Sequence, residues 1–314
     1  MLAIQGTGRI KSMAGRKSNG TVIEKISGLK CPRKHMINQE GWKIVKKSQH
    51  LFAFVSSPDI YRQEELRNQV KGWCHALRDS SKLPKNVPNI LLPESDFLDS
   101  RMVLFKPHDI RYDYFYFTIN GKAGLRHKGL SIFLDILPYL CKRKLRGLVI
   151  VYFPNVPLHK KFTVKLSKHH REMLSKYERF LTFHWGILKP EGMNRVMTNC
   201  KFGLFPNTVD NSPRLISESL IRNVPVMMNK YIDGGWHYIN KHTGALFDKS
   251  SKKSVLRAID FMLENKFKTR DYYESHYGFD RSSKKLAQFL NGLFGFDYTH
   301  MYFNDFRHYL REIK

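Results

Sequence analysis

Two carboxylates eight positions apart, Asp210 and Glu218, stand in the stretch "DNSPRLISESLIRNVPVMMN", residues 210–229. Between them, Ser212 and Pro213 make a helix-start signal: serine caps an orphan N–H, and proline suits the first helical position because it has no N–H to lose. A helix beginning there turns N–H donors and a partial positive charge toward an anion, above all a phosphate. Arg214 in the first turn opposes that dipole unless an anion is bound. Glu218, one turn further, is placed to accept both hydroxyls of a ribose. A plainer reading uses the same residues. Arg214, Glu218 and Arg222 are spaced i, i+4, i+8, the spacing of a solvated salt-bridge stripe worth about a few tenths of a kcal/mol per pair.

Such a site needs strands and helices to hold it. "HLFAFVSS" (50–57) reads as a buried strand, followed by a helical stretch over about 61–78 and a Pro-rich turn region, "KLPKNVPNILLPESD". "YDYFYFTING" (112–121) is a second strong strand. After it, helices at about 128–143, 165–177, 190–199 and 213–222 alternate with strands at 145–155, 179–186, 202–207 and 224–229. Further helical patterning lies near 252–264 and 281–293. This alternation argues for a parallel α/β sheet with helices on both faces, a doubly wound unit whose ligands bind beyond the C-terminal strand ends. The divisions expected are a basic, flexible or partly ordered tail at 1–45, an acceptor-side region and linker at 46–111, a Rossmann-like domain at 112–265 and a basic helical region at 266–314.

The chain has 314 residues, long enough for a sizeable core, and 54 Lys+Arg against 27 Asp+Glu, a formal net charge of +27. A balance this basic implies an anionic partner: nucleic acid, a membrane surface or a phosphorylated small molecule. Cys31, Cys74, Cys141 and Cys200 are scattered without metal-ligand spacing, which argues for a reducing compartment and against a metal site. The sequence carries no apolar run of membrane-crossing length and no secretory leader pattern, so a cytoplasmic protein is expected, soluble or peripheral at a membrane.

Asp210, seven residues, Glu218 and a following Val-Pro-Val strand resemble the donor-binding motif of GT-B glycosyltransferases of the glycogen-synthase-like, retaining type, the family 4 or group 1 enzymes. Asp210 replaces the usual glutamate, and Asn223 stands where glycine is common. "GKAGLRHKGLSIFL" is similar to that family's Gly-Arg…Lys-Gly segment, in which two basic residues grip the nucleotide diphosphate. Lys128-Gly129 match it, and the partner base stays open between Lys122 and Arg126. "FHWGIL", with Gly186, falls where the family has its base-binding loop.

The resemblance implies a GT-B-like α/β fold with a doubly wound donor domain and a shortened N-terminal acceptor-side domain. It implies transfer of a sugar from a nucleotide-sugar to a carbohydrate or glycosylated acceptor. Lys128 with Arg126 or Lys122 would stabilise the leaving diphosphate, together with the helix start at Ser212, Pro213 and Arg214. Glu218 would hold the ribose, and Asp210 the sugar hydroxyls. The sequence has no Asp-x-Asp, the metal–diphosphate signature of the other glycosyltransferase fold, so no metal or further cofactor is expected. Only about 110 residues precede the donor unit, which suggests that acceptor recognition is reduced, that a partner supplies it, or that the chain is a degenerate homologue that binds without catalysis. A further reading has the charge hold a transferase against an anionic membrane surface or a polyanionic acceptor. Nucleic-acid binding is the alternative from charge and abundant Tyr and Phe. His127, His184 and Trp185 are secondary candidates, and "DGGW" (233–236) is expected to form a loop near the sugar.

Overall fold

The computed structural model describes residues 2–5, 9–12, 51–55, 70–152, 162, 166–210 and 213–295. The chain divides into two units, Leu98–Gly278 and Met1–Phe97 with Phe279–Lys314.

Among the described residues of the unit that holds both termini, five strands form one sheet: β1 (Leu2–Gln5), β2 (Arg9–Ser12), β3 (Leu51–Val55), β4 (Gly72–His75) and β5 (Asn89–Leu91), in the order β2-β1-β3-β4-β5. The β1–β2 pair is antiparallel and the other three pairings are parallel. The C-terminal helix, Phe279–Phe294, buries Leu286, Ala287 and Leu290 in a cluster with Cys74, Leu92 and Phe97. Gly72 permits this approach, because a Cβ there would lie 2.3 Å from Leu293 Cδ1.

Three sequence expectations change here. Two short strands lie within the stretch read as a basic tail; the rest of 1–45 is outside the described residues. The helix expected over 61–78 gives way to β4, whose four residues are all buried, a pattern that suits a covered parallel strand and leaves a helix no solvent face. Its 61–69 portion is outside the described residues. The Pro-rich stretch holds β5 and a helical turn at Glu94–Phe97, so it adds a strand to the sheet as well as a turn.

Among its described residues the second unit contains six strands, β6 (Tyr112–Ile119), β7 (Gly147–Tyr152), β8 (Leu181–Trp185), β9 (Cys200–Phe205), β10 (Val226–Asn229) and β11 (Gly244–Phe247). They lie in the order β11-β10-β9-β6-β7-β8, and every pairing is parallel. The connecting helices are α1 (Lys122–His127), α2 (Leu130–Lys142), α3 (Lys168–Tyr177), α4 (Pro190–Thr198), α5 (Arg214–Ile221), α6 (Lys252–Glu264) and α7 (Thr269–His276). α2 forms because Leu130, Phe133, Leu134, Leu137, Leu140 and Cys141 recur at helical spacing and are all buried. Ser167 and Ser251 cap α3 and α6 by accepting the His170 and Ser254 N–H groups.

The period of two along β6 divides the core. Tyr114 and Tyr116 face one layer, with Phe133, Phe202 and Ile259, while Phe115 faces the other, with Ile150, Phe205 and Ile216. The doubly wound parallel sheet expected from strand–helix alternation is present. The short helix α1, α7 and the edge strand β11 had no distinct signal in the sequence.

Candidate active site at the sheet switch point

The chain runs outward from β6 through β7 to β8, then returns to lay β9 against the other side of β6 and continues through β10 to β11. The order therefore reverses between β6 and β9, and the crevice beyond their C-terminal ends is where such sheets take ligands. A cavity of about 220 Å³ opens there, lined by Phe117, Lys128, Leu204 to Asn207, Asp210, Pro213, Arg214 and Leu215.

Two turns bring its charges together. After β6, Gly121 with φ 112° starts α1, Lys128 closes it, and Gly129 with φ 69° starts α2. A Cβ on Gly129 would lie 2.8 Å from the Asn207 backbone nitrogen, so only glycine lets this turn sit against the end of β9. Across that contact, the Lys128 ammonium donates to Asp210 Oδ2 at 2.7 Å, with the two side chains 22% and 17% exposed. Asn207 Nδ2 donates to the same oxygen at 3.3 Å. The buried Tyr116 hydroxyl donates to the Lys128 carbonyl at 3.0 Å, and its ring stacks on Phe133 at 4.3 Å. Buried Asn229 donates through Nδ2 to the Pro206 carbonyl, which fixes the turn after β9.

Lys122 and Arg126 lie one turn apart on α1 and are exposed; neither lines the cavity, so Lys128 is the base brought to Asp210. Pro213 occupies the position before α5 rather than its first helical residue, and its carbonyl accepts from Ile216 N. Ser212 lies outside the described residues. Arg214 reaches the cavity rim but its Nε also bonds Glu218 Oε1 at 3.0 Å.

Glu218 is held from both sides. Arg222 Nη1 is 3.6 Å from Glu218 Oε2 and donates to the Glu218 carbonyl at 3.0 Å. The three-residue stripe allowed by the spacing is thus formed, but it is not solvated: Arg214 is 65% exposed, Glu218 19% and Arg222 5%. Burial lowers the Arg222 pKa, and the Glu218 carboxylate opposes that shift.

The loop after β10 closes on the same place. Asp233 N donates to the Thr208 carbonyl and Gly234 N to the Asp210 carbonyl, while Gly235, at φ 74°, leaves no room for a Cβ, which would lie 2.6 Å from Pro213 Cγ. Gly186, with φ 118°, ends β8 by donating to the Val151 carbonyl. Trp185 stacks on Phe183 and meets Phe162 edge-on, a core arrangement. His184 is half-buried on the edge strand and His127 is exposed on α1; neither lines the cavity. Tyr116, Asn207 and Asn229 escaped the sequence reading, because their roles depend on contacts across the sheet and no spacing announces them. Among the described residues no group of acids, His and Cys is arranged to hold a metal ion.

No family model matches the sequence, and no curated protein matches it. Solved structures do. Sucrose-phosphate synthase from Thermosynechococcus elongatus superposes with a TM-score of 0.57 over 81% of this chain and 71% of its own, at 13% identity. HepE from Anabaena, solved in complex with UDP-glucose, gives 0.57 over 78% and 72%, at 13% identity. The GtfA/B complex gives 0.57 over 81% and 55%, at 14% identity. At these identities the likeness is one of fold: a mixed α/β chain with a parallel six-stranded sheet, of the GT-B glycosyltransferase type.

Proposed function

We propose that the protein is a glycosyltransferase that takes a nucleoside diphosphate sugar as donor. One observation carries this reading: the Lys128–Asp210 pair at the mouth of the β6–β9 crevice, a cation and a carboxylate 2.7 Å apart in a cavity that Arg214 also lines. The ligands named for one similar fold, UDP and UDP-glucose on HepE, are a nucleoside diphosphate and a nucleoside diphosphate sugar.

Breaking a sugar–phosphate bond puts charge on the departing diphosphate. A cation fixed where that charge develops lowers the barrier because it needs no reorganisation. Lys128 supplies that charge, and Lys122 or Arg126 on α1 joins it when the ligand fills the crevice. Asp210 then exchanges its ion pair for hydrogen bonds to the sugar hydroxyls. Pro213, Arg214 and the start of α5 border the diphosphate, with Ser212 beside them in sequence. Glu218 accepts from the ribose, while Gly186 leaves room beside the base. No metal is required by this arrangement, and retention of the anomeric configuration belongs to the same reading. Acceptor recognition, by a partner or at an anionic surface, supplements the small terminal unit.

Thermal melting with nucleoside diphosphates and their sugars, with DNA and RNA as controls, tests the assignment. A ligand at about a hundred times its dissociation constant adds about 2.7 kcal/mol. One nucleotide-sugar should stabilise the wild type and fail to stabilise Glu218→Ala/Arg222→Met. Stabilisation by nucleic acid alone, abolished by salt, would sink the reading and restore the charge-based alternative.

A further inference from the structure

Eight large apolar side chains are exposed among the described residues, and four fall in one short stretch before β6: Met102 (49%), Leu104 (41%), Phe105 (37%) and Ile110 (53%). Scattered apolar residues are ordinary on a surface, but a concentrated patch marks an interaction site. The stretch is also pinned in place. Met102 N donates to the Asp99 carbonyl, Lys106 exchanges two backbone bonds with the Asn194 side chain, His108 Nδ1 lies 2.8 Å from Thr198 Oγ1, and Arg111 N donates to the Asn199 carbonyl. Val103 packs inward on the core. The backbone is thus anchored while the four apolar side chains remain exposed.

Cations surround them. Lys106 and Arg111 are exposed in the same stretch against one exposed acid, Asp109, while exposed Arg101 pairs with buried Asp99 and the Arg270 guanidinium, paired with Glu274, lies over the Phe105 ring at 5.1 Å. We infer that this face docks the protein on an anionic phospholipid surface. Met102, Leu104, Phe105 and Ile110 enter the boundary between headgroups and acyl chains, and Lys106 and Arg111 meet lipid phosphates. Charge selects this occupant: apolar groups ringed by cations, on a chain of net charge +27, match an anionic interface and repel a second copy of the same surface. No helix among the described residues is long and apolar enough to cross a membrane, and the attachment inferred is interfacial.

The stretch leads into the N-terminal end of β6, and Arg111 bonds beside the start of β9. The lipid face therefore lies at the opposite strand ends from the Lys128–Asp210 crevice. Eight residues of β6 at about 3.3 Å each separate the two by about 26 Å. Docking leaves the crevice open to solution. None of this depends on the glycosyltransferase reading.

The test is co-sedimentation of the full chain with vesicles of phosphatidylcholine, alone or mixed with phosphatidylserine. It compares the wild type with the charge-neutral double variant Phe105→Ser/Ile110→Ser. The expected result is binding to the mixed vesicles only, with a partition coefficient lowered on the order of tenfold or more in the variant. Sedimentation of the variant equal to wild type would overturn the inference, because charge elsewhere would then suffice. The single variant Phe105→Trp gives an independent readout against the background of the four native tryptophans: the emission difference from wild type should shift to the blue on mixed vesicles, and an unchanged difference in the sedimented complex refutes insertion. A change of oligomeric state in the double variant, with vesicle binding intact, would assign the face to a second copy and end the proposal.

Discussion

The Lys128 ammonium and Asp210 Oδ2 are 2.7 Å apart although 82 positions separate them in the chain. The pair closes the mouth of the crevice where the strand order reverses, so a ligand phosphate entering there competes with a carboxylate for the same cation. Lys128→Ala tests what that cation does. The pair is partly exposed, and its loss should cost at most about 1 kcal/mol of stability. Turnover with the preferred nucleotide-sugar should fall by about 10² or more, and nucleotide affinity by much less. Equal losses in kcat and affinity would remove Lys128 from the leaving-group role.

Tyr116→Phe removes one hydroxyl and keeps the ring stacked on Phe133. The Lys128 carbonyl loses that donor, which should cost about 1 kcal/mol in denaturant unfolding. The ligand-induced rise in melting temperature should shrink in parallel, since the turn carrying Lys128 loosens. An unchanged ligand response with lowered stability would restrict Tyr116 to the core.

Gly129→Ala meets two costs at once, a left-handed backbone and a Cβ 2.8 Å from the Asn207 nitrogen. The backbone strain alone is worth about 1–3 kcal/mol. The close approach adds to it, because the opposing atom is backbone and cannot rotate away. Urea unfolding should show the loss. A variant as stable as wild type would mean that the β6 and β9 turns are not in contact in solution.

Glu218→Ala by itself confounds site and fold, because it leaves Arg222 nearly buried without its carboxylate. Its stability should drop by about 1–3 kcal/mol. The double variant Glu218→Ala/Arg222→Met removes the stranded charge and should recover most of that loss. If Glu218 binds ribose, nucleotide stabilisation stays absent in the double variant. Full restoration of nucleotide binding would leave the stripe a purely structural device.

Alkaline pH should weaken the fold in a defined window. Burial pushes the Cys141 thiol up from its ordinary 9.0 to about 11, with Arg179 pulling the other way, and burial also raises Cys74 and Cys200. The folded value of Cys141 lies above its unfolded one, so the stability that this thiol contributes is whole below about pH 9 and is lost as pH rises through about 11. Cys141→Val should flatten part of the slope of the urea midpoint across that range. An identical slope would exclude this thiol as a contributor.

The strand–helix alternation from 112 onward was legible in the chain itself. Apolar runs such as Gly147–Tyr152 and the helical spacing of Leu130, Phe133, Leu134 and Leu137 express local rules of period and burial that sequence carries directly. The Lys128-Gly129 turn and the "DGGW" loop were legible for the same reason, since each is a short segment whose residue types fit its own backbone; of the two acids, Asp210 lines the crevice and Glu218 does not. Pairings across the fold were not. Arg214, Glu218 and Arg222 had the same spacing whether solvated or buried, and only packing of the α5 face at 5% exposure for Arg222 decided it. Likewise, the sequence singled out Lys128 but left its partner base open between Lys122 and Arg126, which are both exposed on α1 and outside the cavity lining. Gly129 against Asn207 made Lys128 the one that meets Asp210, because burial and proximity between distant segments are set by how strands order in a sheet.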